Sequence, residues 1–246
     1  MTSERDEKRP LCIAALQMVS CCDLETNLQV AEELIGEAVE QGAKMVVLPE
    51  NFALFGVRDL YSCGLEEATP AGPIRGFLRQ MAQRYGIWLV GGTLPTTQPH
   101  PQIAARAEPA DDSGVSAAET VVSALQNRVY AACFVVNSAG EEVGRYDKIH
   151  LFDVDVGHRQ ERYRESESFC HGGCPVVVDT PWGRLGLAVC YDIRLGSAIV
   201  SPWGEMLTER GQGEGIVIAD IDLAEVAQAR RRMPIHDHRQ FTVVDL

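Results

Sequence analysis

Short apolar runs alternate with helical periods through the first half of this chain, and that alternation leaves few folds open. Residues 11–18 (LCIAALQM), 44–48 (KMVVL) and 87–94 (IWLVGGTL) are apolar runs of strand length. Between the first two, Leu28, Ala31, Leu34, Ile35, Ala38 and Val39 recur at helical spacing over residues 27–41. Start signals lie at 23–26, and Gly42 marks the stop. Between the second and third runs, residues 73–85 put Leu78, Met81 and Ala82 on one helical face, and Gly86 ends them. Strand–helix repeats of this kind require a sheet with helices packed on it.

The second half changes its grammar to hairpins. Residues 129–137 and 142–146 flank Ser138-Ala139-Gly140, and residues 175–180 and 184–189 flank Pro181-Trp182-Gly183. Residues 197–200 and 204–207 flank Ser201-Pro202-Trp203 in the same way. A last strand covers 215–221. A short helix follows over 223–232, and its Arg230-Arg231-Arg232 suits a helix C-terminus. The sequence therefore predicts a mixed-sheet α/β fold. One domain is expected over 11–246, after a polar tail at 1–10. Residues 96–127, rich in Pro, Ala, Ser and Asp and without a sustained period, read as a long loop.

Charge and cysteine content narrow the function classes. The 246 residues carry 35 acidic and 22 basic side chains, a net charge of −13, which argues against nucleic acid and anionic membrane as partners. The N-terminus has no apolar signal core, and no run approaches the length of a spanning helix. Eight cysteines without regular spacing, and no secretory signal, predict reduced thiols and a cytoplasmic protein. Cys170-His171-Gly172-Gly173-Cys174 lacks the second ligand pair of a structural zinc site and reads as a turn.

Three polar residues follow apolar strands: Glu50 after 45–48, Lys148 after the strand ending at Tyr146, and Cys190 after 185–189. Strand ends in α/β sheets face the crevice where ligands bind. The trio is chemically coherent. A carboxylate in a dry pocket can take the proton of a thiol, and an ammonium can stabilise the oxyanion formed when the thiolate attacks a carbonyl or nitrile carbon. The Tyr191 amide is a candidate second donor. This is nucleophilic acyl transfer without histidine.

Three words carry a family likeness. They are Val46-Val47-Leu48-Pro49-Glu50-Asn51-Phe52, the run 145–153 (RYDKIHLFD), and the run 186–194 (GLAVCYDIR). In order and interval they resemble the signature segments of the nitrilase (carbon–nitrogen hydrolase) superfamily. The resemblance implies an α-β-β-α sandwich, dimerised through its sheet layers, with no metal or organic cofactor. It implies Glu50 as general base and acid, Lys148 as oxyanion stabiliser and Cys190 as nucleophile. Tyr163-Arg164-Glu165-Ser166 matches the segment of a further glutamate that positions substrate and lysine, which points to Glu165. The run 148–156 (KIHLFDVDV) and Asp220-Ile221-Asp222 resemble the ω-amidase and deaminated-glutathione amidase branch. The resemblance thus implies a hydrolase of a small linear amide, such as deaminated glutathione or 2-oxoglutaramate, that forms a cysteine thioester and releases ammonia. Such substrates carry carboxylates, and Arg194 is a candidate cation by position.

The chain departs from the family in one place. Members continue past the Cys-Tyr-Asp-Ile-Arg word with Phe-Pro-Glu, then further helices and strands. Here Leu195-Gly196 leads straight into the late hairpin. Only residues 191–196 separate Cys190 from the next apolar run, whereas a parallel crossover needs about a dozen or more. Roughly 50 residues or more are missing at typical element lengths. Two readings follow: an active amidase that compensates for the loss, and an impaired member that binds without turnover.

Overall fold

The computed structural model describes residues 11–100, 127–156, 161–192, 198–203, 205–210 and 213–232. The tail at 1–10, most of the expected loop, and Arg194 with the join around it lie outside the described residues.

The first strand, β1 (Leu11–Gln17), runs parallel to β2 (Met45–Val47), and β2 runs parallel to β3 (Trp88–Val90). Parallel neighbours need a crossover. The first is α1 (Leu24–Glu40), whose N-cap Asp23 accepts the Thr26 N–H at 2.8 Å. The second contains α2 (Leu60–Glu66) and α3 (Pro73–Tyr85). Pro73 suits the first turn of α3, and Gly86 closes it in the left-handed region. After β4 (Leu94–Thr96), the long strand β5 (Val129–Val136) pairs antiparallel with β3, β4 and β6 (Glu142–Asp147). Far along the chain, β14 (Gly215–Ile221) returns to pair antiparallel with β1.

Alternation along the strands builds two cores. Val46, Leu48, Leu89 and Phe134 face α1 and α3, meeting Ile35, Ala38, Leu78 and Met81. Their neighbours Met45, Trp88, Val90, Cys133 and Val135 point the other way. They are covered by the hairpin β10 (Val177–Thr180) and β11 (Gly183–Gly186), with Val178 and Val189 buried and Trp182 edge-on to Trp88 at 6.0 Å. The layers are therefore helix, main sheet, smaller sheet. Leu78 is fully buried between α3 and the sheet, so truncation to Ala would cost about 2–5 kcal/mol.

Two smaller hairpins complete the strand set. One is β7 (Asp153–Val156) with β8 (Glu161–Arg164); the other is β12 (Ala198–Val200) with β13 (Met206–Glu209). The two-residue β9 (Phe169–Cys170) joins β5. The last helix is α4 (Leu223–Arg232). No helix among the described residues is long and apolar enough to cross a membrane.

Four features differ from the sequence expectations. The run 87–94 splits into β3 and β4 because Gly92 turns at φ 53°, and a Cβ there would lie 1.9 Å from the Pro49 carbonyl. Helix α2 is absent from the sequence expectation, since seven residues are too few to show a period. The β7–β8 hairpin is absent from it as well. Finally, β11 stops at Gly186; the Leu187 N–H still bonds the Val176 carbonyl at 3.1 Å, but residues 188–189 leave the ladder and Cys190 does not cap a strand. The physical reason is local: the Asp192 carboxylate takes the Val189 N–H at 2.9 Å, in place of a strand partner.

Candidate active site

Glu50 is placed by the turn that leaves β2. Leu48 N–H still bonds the Val90 carbonyl at 2.9 Å, and Pro49 then ends the pairing. Asn51 takes a left-handed backbone, φ 55°, and its N–H is held by Thr93 Oγ1 at 2.8 Å. Asn27, buried on α1, bonds the Ala53 carbonyl at 2.7 Å and fixes the chain just beyond.

Lys148 is placed by its backbone. Its N–H donates to the Ala131 carbonyl at 3.0 Å, and its carbonyl accepts the Gly172 N–H at 2.8 Å. A Cβ on Gly172 would lie 2.0 Å from the Asp147 carbonyl, so only glycine fits there. The segment around Cys170 and Cys174 thus serves to seat the lysine.

The Lys148 side chain is 1% exposed and sits between two carboxylates. Its Nζ donates to Glu50 Oε1 at 2.6 Å and to Glu165 Oε1 and Oε2 at 3.0 and 2.9 Å. Burial disfavours the ammonium, but the hydrogen bonds and charges of Glu50 and Glu165 outweigh it, so the lysine titrates above its ordinary range. It therefore stays charged. Glu165 opens a single 3₁₀ turn, Glu165–Glu167, and its Oε2 also accepts the Phe152 N–H at 2.6 Å.

Cys190 opens another such turn, Cys190–Asp192, with φ 48°. A non-glycine residue in that region is strained by about 1–3 kcal/mol and is held only when its surroundings fix it. Asp192 does the fixing. Besides Val189, its carboxylate accepts the Tyr146 hydroxyl at 2.6 Å and the His150 N–H at 3.1 Å, with His150 Nδ1 at 2.6 Å. Burial raises the Cys190 thiol above its ordinary value, and a hydrogen bond to Glu50 with that residue's charge raises it further; Lys148 opposes them. At rest the site holds a neutral thiol facing a carboxylate, which can take its proton as the sulfur attacks.

These side chains open on a cavity of about 400 Å³, walled by Glu50, Lys148, Glu165, Cys190, Phe152 and Phe169, with Arg162, Tyr163 and Arg164 at β8. The structure thus gathers four expected residues, Glu50, Lys148, Glu165 and Cys190. Tyr191, half-exposed, packs its ring edge-on to Phe152 at 5.4 Å. Arg194 lies outside the described residues. Sequence reasoning missed Asp192, Tyr146 and the β8 arginines. Asp192 lay inside the cysteine word, where an acidic residue two positions from a nucleophile was the available signal.

A carbon-nitrogen hydrolase model matches residues 12–196 and 193–231. The chain belongs to the carbon-nitrogen hydrolase family. It is 30% identical to a deaminated glutathione amidase of Synechocystis sp. over an alignment 298 residues long, covering 95% of this chain and 99% of that protein. It is 28% identical to the omega-amidase NIT2 of Xenopus tropicalis, covering 87% of this chain and 89% of that one. The fold matches Saccharomyces cerevisiae Nit3, a member of branch 10 of the nitrilase superfamily, with a TM-score of 0.70 at 20% identity over 98% of this chain and 100% of that one. By family, this carbon-nitrogen hydrolase is an enzyme of the amidase kind.

Proposed function

We propose that this carbon-nitrogen hydrolase cleaves the amide of a small linear 2-oxo amide through a thioester on Cys190. The observation that carries the reading is the Lys148 ammonium held between Glu50 and Glu165 in the cavity that Cys190 opens on. Glu50 takes the thiol proton as sulfur bonds to the amide carbon, and the carbonyl π electrons move to an oxyanion beside Lys148. Collapse of that adduct breaks the C–N bond, and Glu50 returns its proton to the leaving nitrogen as ammonia, or as an amine where the nitrogen is substituted. Water, deprotonated by Glu50, then cleaves the thioester and restores the thiol. The name of the Synechocystis relative supports deaminated glutathione as a substrate, the omega-amidase supports a terminal amide, and the superfamily resemblance adds 2-oxoglutaramate. The test is release of ammonia or amine from these compounds by the purified protein, beside Cys190→Ala. Equal release from both proteins, each folded by circular dichroism, refutes the reading.

A second reading has its own support. The family model matches in two pieces that meet at 193–196, and an alignment 298 residues long against a chain of 246 requires gaps in this chain. Both fit one hydrolase domain over 11–246 that lacks a segment after Arg194. Among the described residues, β11 pairs with β10 alone, as it would without its next parallel neighbour. On this reading the site binds amide without turnover, and binding to Cys190→Ala equal to that of a parent releasing no product is its signature. The proposal extends to a homodimer, supported by the exposed apolar side chains Val177, Trp203 and Met206 and tested by light scattering, and to a cytoplasmic location, tested by cell fractionation.

A further inference from the structure

Lys148 stands one residue beyond a buried ion pair. Arg145 and Asp147 lie two apart on β6 and so share a face, the one that carries their ladder partners Phe134 and Ala132 toward the helices. Arg145 Nε donates to Asp147 Oδ1 at 2.8 Å, and Nη2 donates to Oδ2 at 3.1 Å, a two-pronged contact. The two side chains are 8% and 2% exposed. Burial raises the Asp147 carboxyl above its ordinary range, and Arg145 opposes that rise. The same guanidinium donates to the Gln98 carbonyl at 2.6 Å and to the Pro99 carbonyl at 3.4 Å. The pair is thereby pinned to the chain that leaves β4.

A buried ion pair is weak evidence for stability, because apolar side chains of similar volume often serve as well. Its place in the chain points to another role. Tyr146 and Asp147 face opposite sides of β6. Tyr146 reaches Asp192 beside the thiol, and Asp147 reaches Arg145 on the helix side. Gly172 packs on Asp147 as well, since a Cβ there would lie 2.0 Å from the Asp147 carbonyl oxygen and 3.0 Å from its Cβ. Residue 147 is therefore held by its side chain and by its backbone. The next residue is Lys148, whose Nζ reaches Glu50 at 2.6 Å and Glu165 at 2.9 Å.

We infer that Arg145 and Asp147 are positioning residues for Lys148: their buried contact fixes residue 147, and with it the place of the ammonium between the two carboxylates and the Cys190 thiol. Among the described residues the cavity wall includes neither of them, so they act through the lysine. The kinetic part of this inference rests on the amidase reading; the part read from the thiol does not.

The test is iodoacetamide labelling of Cys190 against pH, followed at that residue by peptide mass spectrometry, beside steady-state hydrolysis of deaminated glutathione. Lys148 lowers the Cys190 thiol, so an ammonium displaced from it raises the labelling midpoint. Loss of the Asp147 charge alone would lower the midpoint, and the sign separates displacement from a direct effect of charge. Arg145→Met with Asp147→Leu removes the pair and keeps the volume close. This double variant should melt near the parent, yet its labelling midpoint should rise. Its kcat should fall about tenfold or more at nearly unchanged KM, as for an interaction made in the transition state. Asp147→Asn should move both readouts in the same sense. Arg145→Lys, which keeps the charge and loses the fork, should fall between Asp147→Asn and the parent. If the double variant does not fold, these two are read in its place. A folded variant with the parent's midpoint, with a lower one, or with the full kcat of an active parent overturns the proposal. Loss of fold in all three also overturns it, since the pair would then serve the fold alone. A raised midpoint in a series whose parent releases no product keeps the positioning role and sinks the hydrolase reading.

Discussion

The Tyr146 hydroxyl donates to Asp192 at 2.6 Å and accepts the Ile149 N–H at 3.2 Å. Tyr146 precedes Lys148 by two residues, and Asp192 follows Cys190 by two. One phenol therefore ties the segment bearing the ammonium to the turn bearing the thiol. Burial, and then the Asp192 carboxylate, push the phenol well above its ordinary value, so it remains a donor.

Tyr146→Phe keeps the ring and removes the tie. Stability should fall by about 1 kcal/mol, the usual net worth of such a bond. kcat/KM for amide hydrolysis should fall roughly ten- to hundredfold, because small displacements of reacting groups are costly. Denaturant titration and steady-state kinetics measure both, and an unchanged kcat/KM would show that the tie does not position the thiol.

Glu50→Gln should separate reactivity from catalysis. Glu50 raises the Cys190 thiol through a hydrogen bond and its charge, so removing that charge lets the thiol ionise at lower pH. The midpoint of iodoacetamide labelling against pH should move down, while amide hydrolysis drops at least about a hundredfold for want of a base. A midpoint that moves up contradicts this account.

Lys148→Met leaves Glu50 and Glu165 facing each other without a cation. The loss should be on the order of 2 kcal/mol at neutral pH, moderated because both carboxylates reach solvent. Since the folded Lys148 value is raised, its contribution is full below the unfolded lysine value of about 10.4 and is lost as pH rises through the folded one. The stability gap between parent and variant should accordingly be flat through neutrality and close only in strong alkali.

For Asp192→Asn the pH window lies at the other end. Burial disfavours the carboxylate, yet the bonds from Tyr146, Val189 and His150 prevail and its value is lowered. The stabilisation is therefore complete above the unfolded Asp value of about 3.9 and vanishes as pH falls through the lower folded value. Melting curves of parent and variant should differ at pH 7 and converge in acid. A constant difference across that range would remove the charge from the explanation.

Gly172→Ala sets a Cβ against the Asp147 carbonyl, which is backbone and cannot rotate aside. A cost of about 1–3 kcal/mol is expected, as for other overpacked sites, together with a fall in activity through Lys148. A variant equal to the parent in melting temperature would show that the segment moves freely.

Much of this was legible in the chain because periodicity and spacing are local. Residues 73–85, 215–221 and 223–232 appear with the boundaries the sequence predicts. Glu50, Lys148, Glu165 and Cys190 line one cavity. What stayed hidden depends on pairing. The glycine pair at 91–92 reads in the sequence as a strand end with close packing; the neighbour it packs on, the Pro49 carbonyl 43 residues before Gly92, does not show there. The retreat of 188–189 from the ladder follows from the Asp192 carboxylate, which competes for the Val189 N–H. Arg162 and Arg164 reach the cavity through the β7–β8 hairpin, which the sequence expectation lacks.

The pairing of β1 with β14 has a consequence for how the protein is made. Leu11 faces Ile221 and Gln17 faces Gly215, so the second strand of this ladder is synthesised long after the first. Until it emerges from the ribosome, β1 presents a bare row of hydrogen-bonding groups beside an otherwise assembled sheet, and such edges recruit other chains. A nascent chain stalled before Gly215 should therefore depend on chaperones for its solubility.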